Sequence, residues 1–371
     1  MHRHVYVHVP FCSRRCSYCD FSIAVRRVVP VEEYLRALDA ELAVRFGNAE
    51  AAEVDTIYLG GGTPSRLGGE GLARAIALVR RHFSLAGNGE LTIEVNPEDL
   101  SEENATAWVE AGVNRLSLGT QTFDDAALRW MHRSHDASAI ETAVAAARAA
   151  GLENVSLDLI FALPAELRRD FAADVRRLLA LRPMHVSLYG LTVEPRTPLG
   201  RWVGSGTAVE RPEEGYEQEY LLAHELLTSD GLEHYEVSNY GRPGFRSRHN
   251  SAYWASVPYV GLGPSAHGFD GQVRRWNASG YAEWRDLTFA ARDPLAGSER
   301  LDEGNLIAEG VYLGLRSDAG LPLLPGERDL VEPWLVERWV VIEADGRLRC
   351  TALGWLRLDS LAAALTHSRS R

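Results

Sequence analysis

Six short apolar runs, separated by stretches with helical periodicity, constrain the fold of this chain more than any other feature. The runs lie at 5–9, 56–60, 91–95, 115–119, 155–161 and 185–191. Consecutive runs are too far apart for hairpins, and helical patterns such as 32–46 and 137–151 lie between them. This alternation predicts an α/β fold whose parallel strands curl towards a barrel, short of the eight units of a complete one.

The charge balance and the amino terminus exclude several classes of protein. The chain has 371 residues and a formal net charge of -12. This acidity argues against a nucleic-acid partner, because phosphate binding depends on clustered Lys and Arg. The first residues lack the apolar run of a signal peptide, and no apolar stretch long enough for a membrane span follows. We therefore expect a cytoplasmic protein with no transmembrane segment.

The second half of the chain departs from the alternation of strands and helices. Its last part predicts helices at 299–314 and 328–338, a hairpin at Asp345-Gly346 and a final helix at 359–365. That order favours a small α+β domain resembling a winged helix, which packs against protein because it has no basic stripe for DNA. The predicted units are a barrel over 1–231, an aromatic segment over 232–295 and a carboxyl-terminal domain over 296–371.

Three of the four cysteines lie close together in the run Cys12-Ser-Arg-Arg-Cys16-Ser-Tyr-Cys19, directly after the first strand. This is not the pattern of a disulfide framework. Three thiolates predict an iron-sulfur cluster with one iron open to an outside ligand. Zinc is the alternative, although a closed structural zinc site needs a fourth ligand that the spacing does not supply. The fourth cysteine, Cys350, is expected to be dispensable.

The CxxxCxxC loop after a first strand resembles the signature of the radical S-adenosylmethionine superfamily. The resemblance implies a partial (β/α)6 radical SAM barrel with a [4Fe-4S] cluster, S-adenosylmethionine at the open iron, and an electron donor. Tyr6 and Tyr18 match aromatic positions around the cluster of these relatives. The alternative for each tyrosine is ordinary packing in the core.

A glycine-rich turn, Gly60-Gly61-Gly62-Thr63-Pro64, follows the second strand. Glycines allow backbone amides to approach a ligand closely, although a tight strand-to-helix turn would also use them. The turn resembles the superfamily motif that meets the amino group of the cofactor. Gly61, Gly62 and Thr63 are therefore predicted to bind S-adenosylmethionine.

Polar residues at the ends of the next strands complete the predicted cofactor site. Their spacing is similar to that of the oxygen-independent coproporphyrinogen III oxidase family, in which matching residues contact S-adenosylmethionine. The predicted contacts are Glu94, Gln121, Arg133 and Asp158. Asp158 interrupts an apolar run, and a buried carboxylate is costly unless it is paired. For Arg133 the alternative is a solvated surface charge, and Ala162 departs from the glycine usual in these relatives.

Two branches of this family fit the cysteine loop. The oxidase branch resembles CxxxCxxCxC and has a longer segment before its cluster, whereas Phe21 stands at the last position here and only eleven residues precede Cys12. The CxF form resembles the heme chaperones of the family, and the run 249–254 carries their second motif, HNxxYW. We therefore expect heme delivery to acceptor proteins without coproporphyrinogen oxidase activity. The alternatives are that oxidase, or an iron-sulfur protein with a degenerate cofactor site.

His249, which opens this second motif, is predicted to be an axial ligand of heme iron. Arg246 and Arg248 are expected to meet the propionates of the heme, and Trp254 to pack on the macrocycle. The structural alternative is that His249 forms hydrogen bonds within its loop, as most histidines do. His267 is a weaker candidate for the ligand.

Overall fold

The structure is a computed structural model in which residues 3–47 and 49–370 are described. The strands in chain order are β1 (His4–Val9), β2 (Phe11–Cys12), β3 (Ala24–Val25), β4 (Ala52–Gly61), β5 (Phe83–Val95), β6 (Arg115–Gln121), β7 (Val155–Phe161), β8 (His185–Gly190), β9 (Glu233–Glu236), β10 (Asn239–Gly241), β11 (Tyr259–Leu262), β12 (His267–Phe269), β13 (Val273–Asn277), β14 (Leu295–Arg300), β15 (Leu321–Pro322), β16 (Val340–Ile342) and β17 (Arg347–Cys350). The helices are α1 (Val31–Phe46), α2 (Gly68–Arg80), α3 (Glu102–Glu110), α4 (Asp125–Trp130), α5 (Ala137–Ala149), α6 (Phe171–Ala180), α7 (Pro198–Gly204), α8 (Glu213–Ser229), α9 (Arg248–Trp254), α10 (Tyr281–Phe289), α11 (Glu303–Arg316), α12 (Arg328–Val336), α13 (Ala352–Trp355) and α14 (Leu358–Arg369).

Six parallel strands form the open barrel, in the order β1, β4, β5, β6, β7 and β8. They are the six strands that the sequence predicts, although β4 and β5 begin earlier than the apolar runs. Helices connect each strand to the next, as a parallel sheet requires. The predicted partial (β/α)6 barrel is confirmed.

The barrel strands have an apolar outer face and a polar inner face. On β1, Val5, Val7 and Val9 are fully buried in the core that includes Tyr34 and Leu38 of α1. The residues between these valines are polar and point to the opposite face, because side chains alternate along a strand. Barrel interiors are more often filled with branched apolar residues. The polar side chains inside this barrel therefore need hydrogen-bond partners from the protein or from a ligand.

The region after residue 231 adds strands to both edges of the barrel sheet. β10 and then β9 lie antiparallel beyond β8, and β11 pairs in parallel with β1. β12, β13 and β14 continue the sheet on the side of β11. The aromatic segment 232–295 therefore shares one sheet with the barrel, and its proposed boundaries stay predictions.

The carboxyl-terminal part contains the predicted helices as α11, α12 and α14, and the predicted hairpin as β16 and β17. Its small sheet has the order β15, β17, β16. The Nε1 of Trp355 donates to the carbonyl of Leu315 at 3.0 Å and links α13 to α11. These elements match the small α+β domain that the sequence predicts. Among the described residues, no helix is long and apolar enough to cross a membrane.

Candidate cluster and cofactor site

A cavity of about 500 Å³ lies at the carboxyl ends of the barrel strands. The predicted site residues that line it are Cys12, Cys16, Tyr18, Cys19, Gly61, Gly62, Thr63, Glu94, Gln121, Arg133 and Asp158. The two predicted residues that do not line it are Tyr6 and His249. The barrel therefore brings together residues far apart in the sequence, because parallel strands end at one edge of the sheet.

The cysteine loop is held in place at both ends. β2 and β3 pair in parallel, with Phe11 opposite Ala24, so the segment between them returns to its starting point. Within the loop, the amide of Cys19 donates to the carbonyl of Cys16 at 3.3 Å. The amide of Ser17 donates to the carbonyl of Met131 at 3.1 Å, which ties the loop to the end of α4. These bonds present the three thiols to the cavity.

The spacing of the thiols is compatible with a cluster. Among residues 3–47 and 49–370, no three side chains of His, Cys, Asp or Glu converge closely enough to hold one metal ion. In a cubane each thiolate binds a different iron, so the sulfurs need not converge. The Sγ of Cys12 lies 3.4 Å from the hydroxyl of Thr63, and the Sγ of Cys16 lies 3.5 Å from Nη1 of Arg133. The three thiols thus line one wall of a cavity large enough for a further ligand.

The glycine turn packs tightly against the start of this loop. Gly61 has a φ of 109°, a conformation that favours glycine, and a Cβ at Gly62 would lie 2.6 Å from the carbonyl carbon of Pro10. The amide of Gly61 donates to Oε2 of Glu94 at 3.0 Å, and the hydroxyl of Tyr58 donates to Oε1 at 2.8 Å. Burial raises the pKa of Glu94. The turn and Glu94 form one rigid wall.

Arg133 is part of the cavity and is not a solvated surface charge. Its Nη2 donates to Oδ1 of Asn96 at 2.7 Å and to the carbonyl of Gly119 at 2.9 Å. Its Nε is buried and has no partner among the described residues. A guanidinium with an unfilled donor beside Cys16 can hold an anionic group of a ligand.

Asp158 faces the cavity from β7. Its carboxylate accepts from the hydroxyl of Ser117 at 3.1 Å and 3.3 Å. Burial, followed by the nearby charge of Glu94, raises the pKa of Asp158 to about 7. Near neutral pH this carboxyl group can therefore accept a hydrogen bond or donate one.

Gln121 ends β6 with a φ of 67°, in the left-handed region, where the register with β7 shifts. Its side chain lines the cavity and has no hydrogen bond with the described residues. Ser117 and Tyr189 also line the cavity, although they are not among the predicted residues. Both could have been predicted from the sequence, because side chains alternate along β6 and β8. This alternation places Ser117 and Tyr189 on the same inner face of the barrel as the predicted residues.

The two predicted aromatic residues lie in different places. Tyr18 lines the cavity and packs against the apolar cluster that contains Met131 and Ile160. Tyr6 lies inside the barrel below the cavity, where its hydroxyl is 3.1 Å from Nδ1 of His8 and its ring stacks on Tyr58. Tyr6 therefore supports the wall that carries Glu94, and direct contact of Tyr6 with the cofactor stays a prediction.

His249 lies away from the cavity that holds most of the other predicted site residues. Helix α9 lies against the amino-terminal end of the barrel, and His249 is 1% exposed. Its Nδ1 lies 2.6 Å from the hydroxyl of Thr56, its Nε2 lies 2.8 Å from the hydroxyl of Tyr253, and its ring stacks on Tyr58. Burial lowers the pKa of His249 to about 3. Both ring nitrogens have protein partners, so iron ligation by His249 would require one of these bonds to break.

The arginines near His249 also have protein partners. Arg246 forms ion pairs with Glu233 at 3.0 Å and Asp318 at 2.8 Å. The guanidinium of Arg248 donates to the backbone of Asn88, and the Arg316 guanidinium lies over the ring of Trp254 at 4.0 Å. Arg246 and Arg248, which were expected to bind the heme propionates, are thus engaged in contacts within the protein. His267 is exposed and its ring stacks on Trp276, away from the cavity lining.

Comparisons with known proteins identify the relatives of this chain. Residues 6–178 match the radical SAM superfamily. A protein of Mycobacterium tuberculosis named heme chaperone HemW is 38% identical over 97% of this chain and 94% of its own length. A protein of Bacillus subtilis with the same name is 35% identical over 85% of this chain and 84% of its own length.

Solved structures show the same architecture. The coproporphyrinogen III oxidase HemN of Escherichia coli superposes with a TM-score of 0.83, at 22% identity, over 99% of this chain and 91% of that one. At this identity the likeness shows the fold alone. The sequence relatives carry the assignment further, because they match nearly the whole chain. The chain therefore belongs to the HemW family within the radical SAM superfamily.

Proposed function

We propose that this protein is a heme chaperone, which binds heme and delivers it to acceptor proteins with the support of a [4Fe-4S] cluster and S-adenosylmethionine. The observation that carries the proposal is an intact cofactor cavity in a chain that matches proteins named heme chaperone along nearly its whole length. Phe21 at the edge of this cavity, where the oxidase branch has a cysteine, supports heme delivery over porphyrinogen oxidation.

In this proposal the residues of the cavity have different roles. Cys12, Cys16 and Cys19 hold the cluster, and the backbone of Gly61 and Gly62 lies against the cofactor. The free donors and acceptors nearby support binding of an amino acid and a ribose, because they have capacity that the protein leaves unfilled. Those groups belong to Gln121, Arg133 and Asp158. When bound, the cluster and S-adenosylmethionine supply one-electron radical chemistry.

The protein contributes orientation and proton control to that chemistry. Glu94 is half-buried and fixed by two hydrogen bonds, so it keeps one geometry against the glycine turn. Asp158 can hold or release a proton near pH 7 because burial raises its pKa to about 7. An external electron donor, an acceptor protein for heme and a cytoplasmic location complete the proposal.

The test is anaerobic reconstitution of the full chain, followed by separate titration with heme and assay of coproporphyrinogen consumption. The proposal predicts a cluster that depends on the cysteines, a heme spectrum at stoichiometric heme, and no consumption of coproporphyrinogen. Transfer of bound heme to a heme-free acceptor would then be followed by absorption. Consumption of coproporphyrinogen, or no heme binding by the reconstituted protein, would contradict the proposal.

A further inference from the structure

A histidine can bind heme iron only through a ring nitrogen that no protein group occupies. Among the described residues, most histidine rings have a hydrogen-bond partner, as His249 does on both nitrogens. His8 and His185 also have partners on both ring nitrogens, and His135 is bonded through Nε2 with its Nδ1 3.3 Å from Glu98. His132 is exposed and has no hydrogen bond from its ring to any described residue. It is also a histidine that lines the cofactor cavity.

Aromatic side chains near His132 offer contacts for the macrocycle of a heme. The ring of Trp202 lies 5.4 Å from that of His132, edge to face, and Trp130 lies 5.5 Å from Trp202. Both tryptophans are half-buried at the surface. Aromatic rings of this size offer a flat apolar surface for a macrocycle.

Two cations adjoin the tryptophans in the sequence. Arg129 precedes Trp130 on α4, and Arg201 precedes Trp202 on α7. Both are exposed, and within the described ranges neither has a carboxylate at ion-pair distance. Free guanidinium groups bind carboxylates in a bidentate manner, which suits the two propionates of heme.

Both helices are fastened to the cysteine loop. The amide of Leu199 at the start of α7 donates to the carbonyl of Ser17 at 2.8 Å, and the amide of Ser17 donates to the carbonyl of Met131 after α4. His132 follows at once, with a φ of 60° in the left-handed region, which is costly for a residue with a Cβ. The imidazole is thereby held at the mouth of the cavity beside the cluster loop.

We propose that His132 is an axial ligand of heme iron at the mouth of the cavity, with Trp130 and Trp202 packing on the macrocycle and Arg129 and Arg201 binding its propionates. The inference rests on the proposed function, since it assumes that the protein binds heme. It assigns to this patch the chemistry that the sequence alone suggested for the segment around His249.

The test compares heme titrations of the wild type with the variant His132→Gly. Glycine removes the imidazole and suits the left-handed backbone, so the variant is expected to fold and to keep its cluster. We expect its heme affinity to fall at least about tenfold, with a changed Soret band. His267→Ala removes another exposed imidazole next to a tryptophan and should leave both quantities unchanged.

The outcomes separate this inference from the proposed function. A wild type that binds no heme overturns both. A wild type that binds heme, with the same affinity and spectrum in His132→Gly, overturns the assignment of His132 alone.

The arginines are tested by the double variant Arg129→Gln and Arg201→Gln. We expect weaker heme binding with a smaller dependence on salt and an unchanged Soret position, because the iron ligand is retained. Arg176→Gln, an exposed position on α6, is the control for a loss of surface charge. Equal heme affinity and salt dependence in the double variant and the wild type would remove the arginines from the site.

Discussion

His249 near the amino-terminal end of the barrel and Gln121 at the carboxyl-terminal end differ in the hydrogen bonds that the protein supplies to their side chains. At the amino-terminal end, His249 is buried and hydrogen-bonded through both ring nitrogens. The carboxylate of Glu90 accepts hydrogen bonds from the backbone amides of Arg248 and His249 at 3.0 Å and 3.1 Å. At the carboxyl-terminal end, Gln121 lacks a side-chain partner among the described residues. Polar groups that the protein has already satisfied hold the fold together, and those left unsatisfied are available to a ligand.

The difference also explains why residue type alone misleads. An imidazole flanked by aromatic rings and arginines describes both the segment around His249 and the patch around His132. In the first case Arg246 pairs with two carboxylates and Arg248 donates to the backbone of Asn88. In the second, Arg129 and Arg201 have no carboxylate partner among the described residues. The partners of a residue, rather than its neighbours in the sequence, distinguish a binding site from a structural one.

The largest expected effect is the loss of the cluster from the carboxyl-terminal end. We expect Cys16→Ala to prevent assembly of the [4Fe-4S] cluster, because the remaining two thiolates cannot hold it. Cys350→Ala is the matched control, since Cys350 lies buried in β17 of the carboxyl-terminal sheet. Iron and sulfide would be counted after anaerobic reconstitution. Full cluster content in Cys16→Ala, or its loss in Cys350→Ala, would contradict the assignment.

A second prediction addresses the amino-terminal end. His249→Ala removes a buried ring and leaves the hydroxyls of Thr56 and Tyr253 without a partner, so the free energy of unfolding should fall by about 2–4 kcal/mol. The heme spectrum of the protein that remains folded should not change. Denaturation and heme titration of the same variant separate the two roles. Loss of heme affinity without loss of stability would restore His249 as the iron ligand.

Much of this architecture was predictable because its signals are local. The inner and outer faces of the strands follow from a period of two, and the cysteine loop is a contiguous motif. The position of His249 was not predictable, because it depends on Glu90, which is far away in the sequence. His132 was missed because an exposed histidine after a short helix has no periodic signal. Ala162 has a φ of 58°, which accounts for the glycine expected there.

A third prediction concerns the pH dependence of stability at Asp158. Burial raises its pKa from 3.8 to about 7, so the folded protein binds this proton more tightly than the unfolded chain does. Stability should therefore fall as the pH rises from about 4 to about 7. Asp158→Asn should remove this decrease in stability between about pH 4 and about pH 7. At pH 8 its free energy of unfolding should exceed that of the wild type by about 2–4 kcal/mol.

Chemical denaturation of the apoprotein at pH 5 and pH 8 would measure this change. Asp329→Asn, at an exposed position on α12, is the control and should keep the slope of the wild type. Parallel pH profiles for Asp158→Asn and the wild type would show that Asp158 ionises normally in the folded protein.

We propose that the cofactor binds in the cavity at the carboxyl ends of the barrel strands and not around His249. Calorimetric titration of S-adenosylmethionine tests it on two reconstituted variants. Gln121→Gly removes a side chain that has no partner among the described residues. Glycine also suits the left-handed backbone at this position. Tyr253→Phe removes a hydroxyl bonded to His249. The account predicts a dissociation constant about tenfold higher for Gln121→Gly, with its cluster intact, and an unchanged value for Tyr253→Phe. An unchanged constant in Gln121→Gly, or a weakened one in Tyr253→Phe alone, would contradict it.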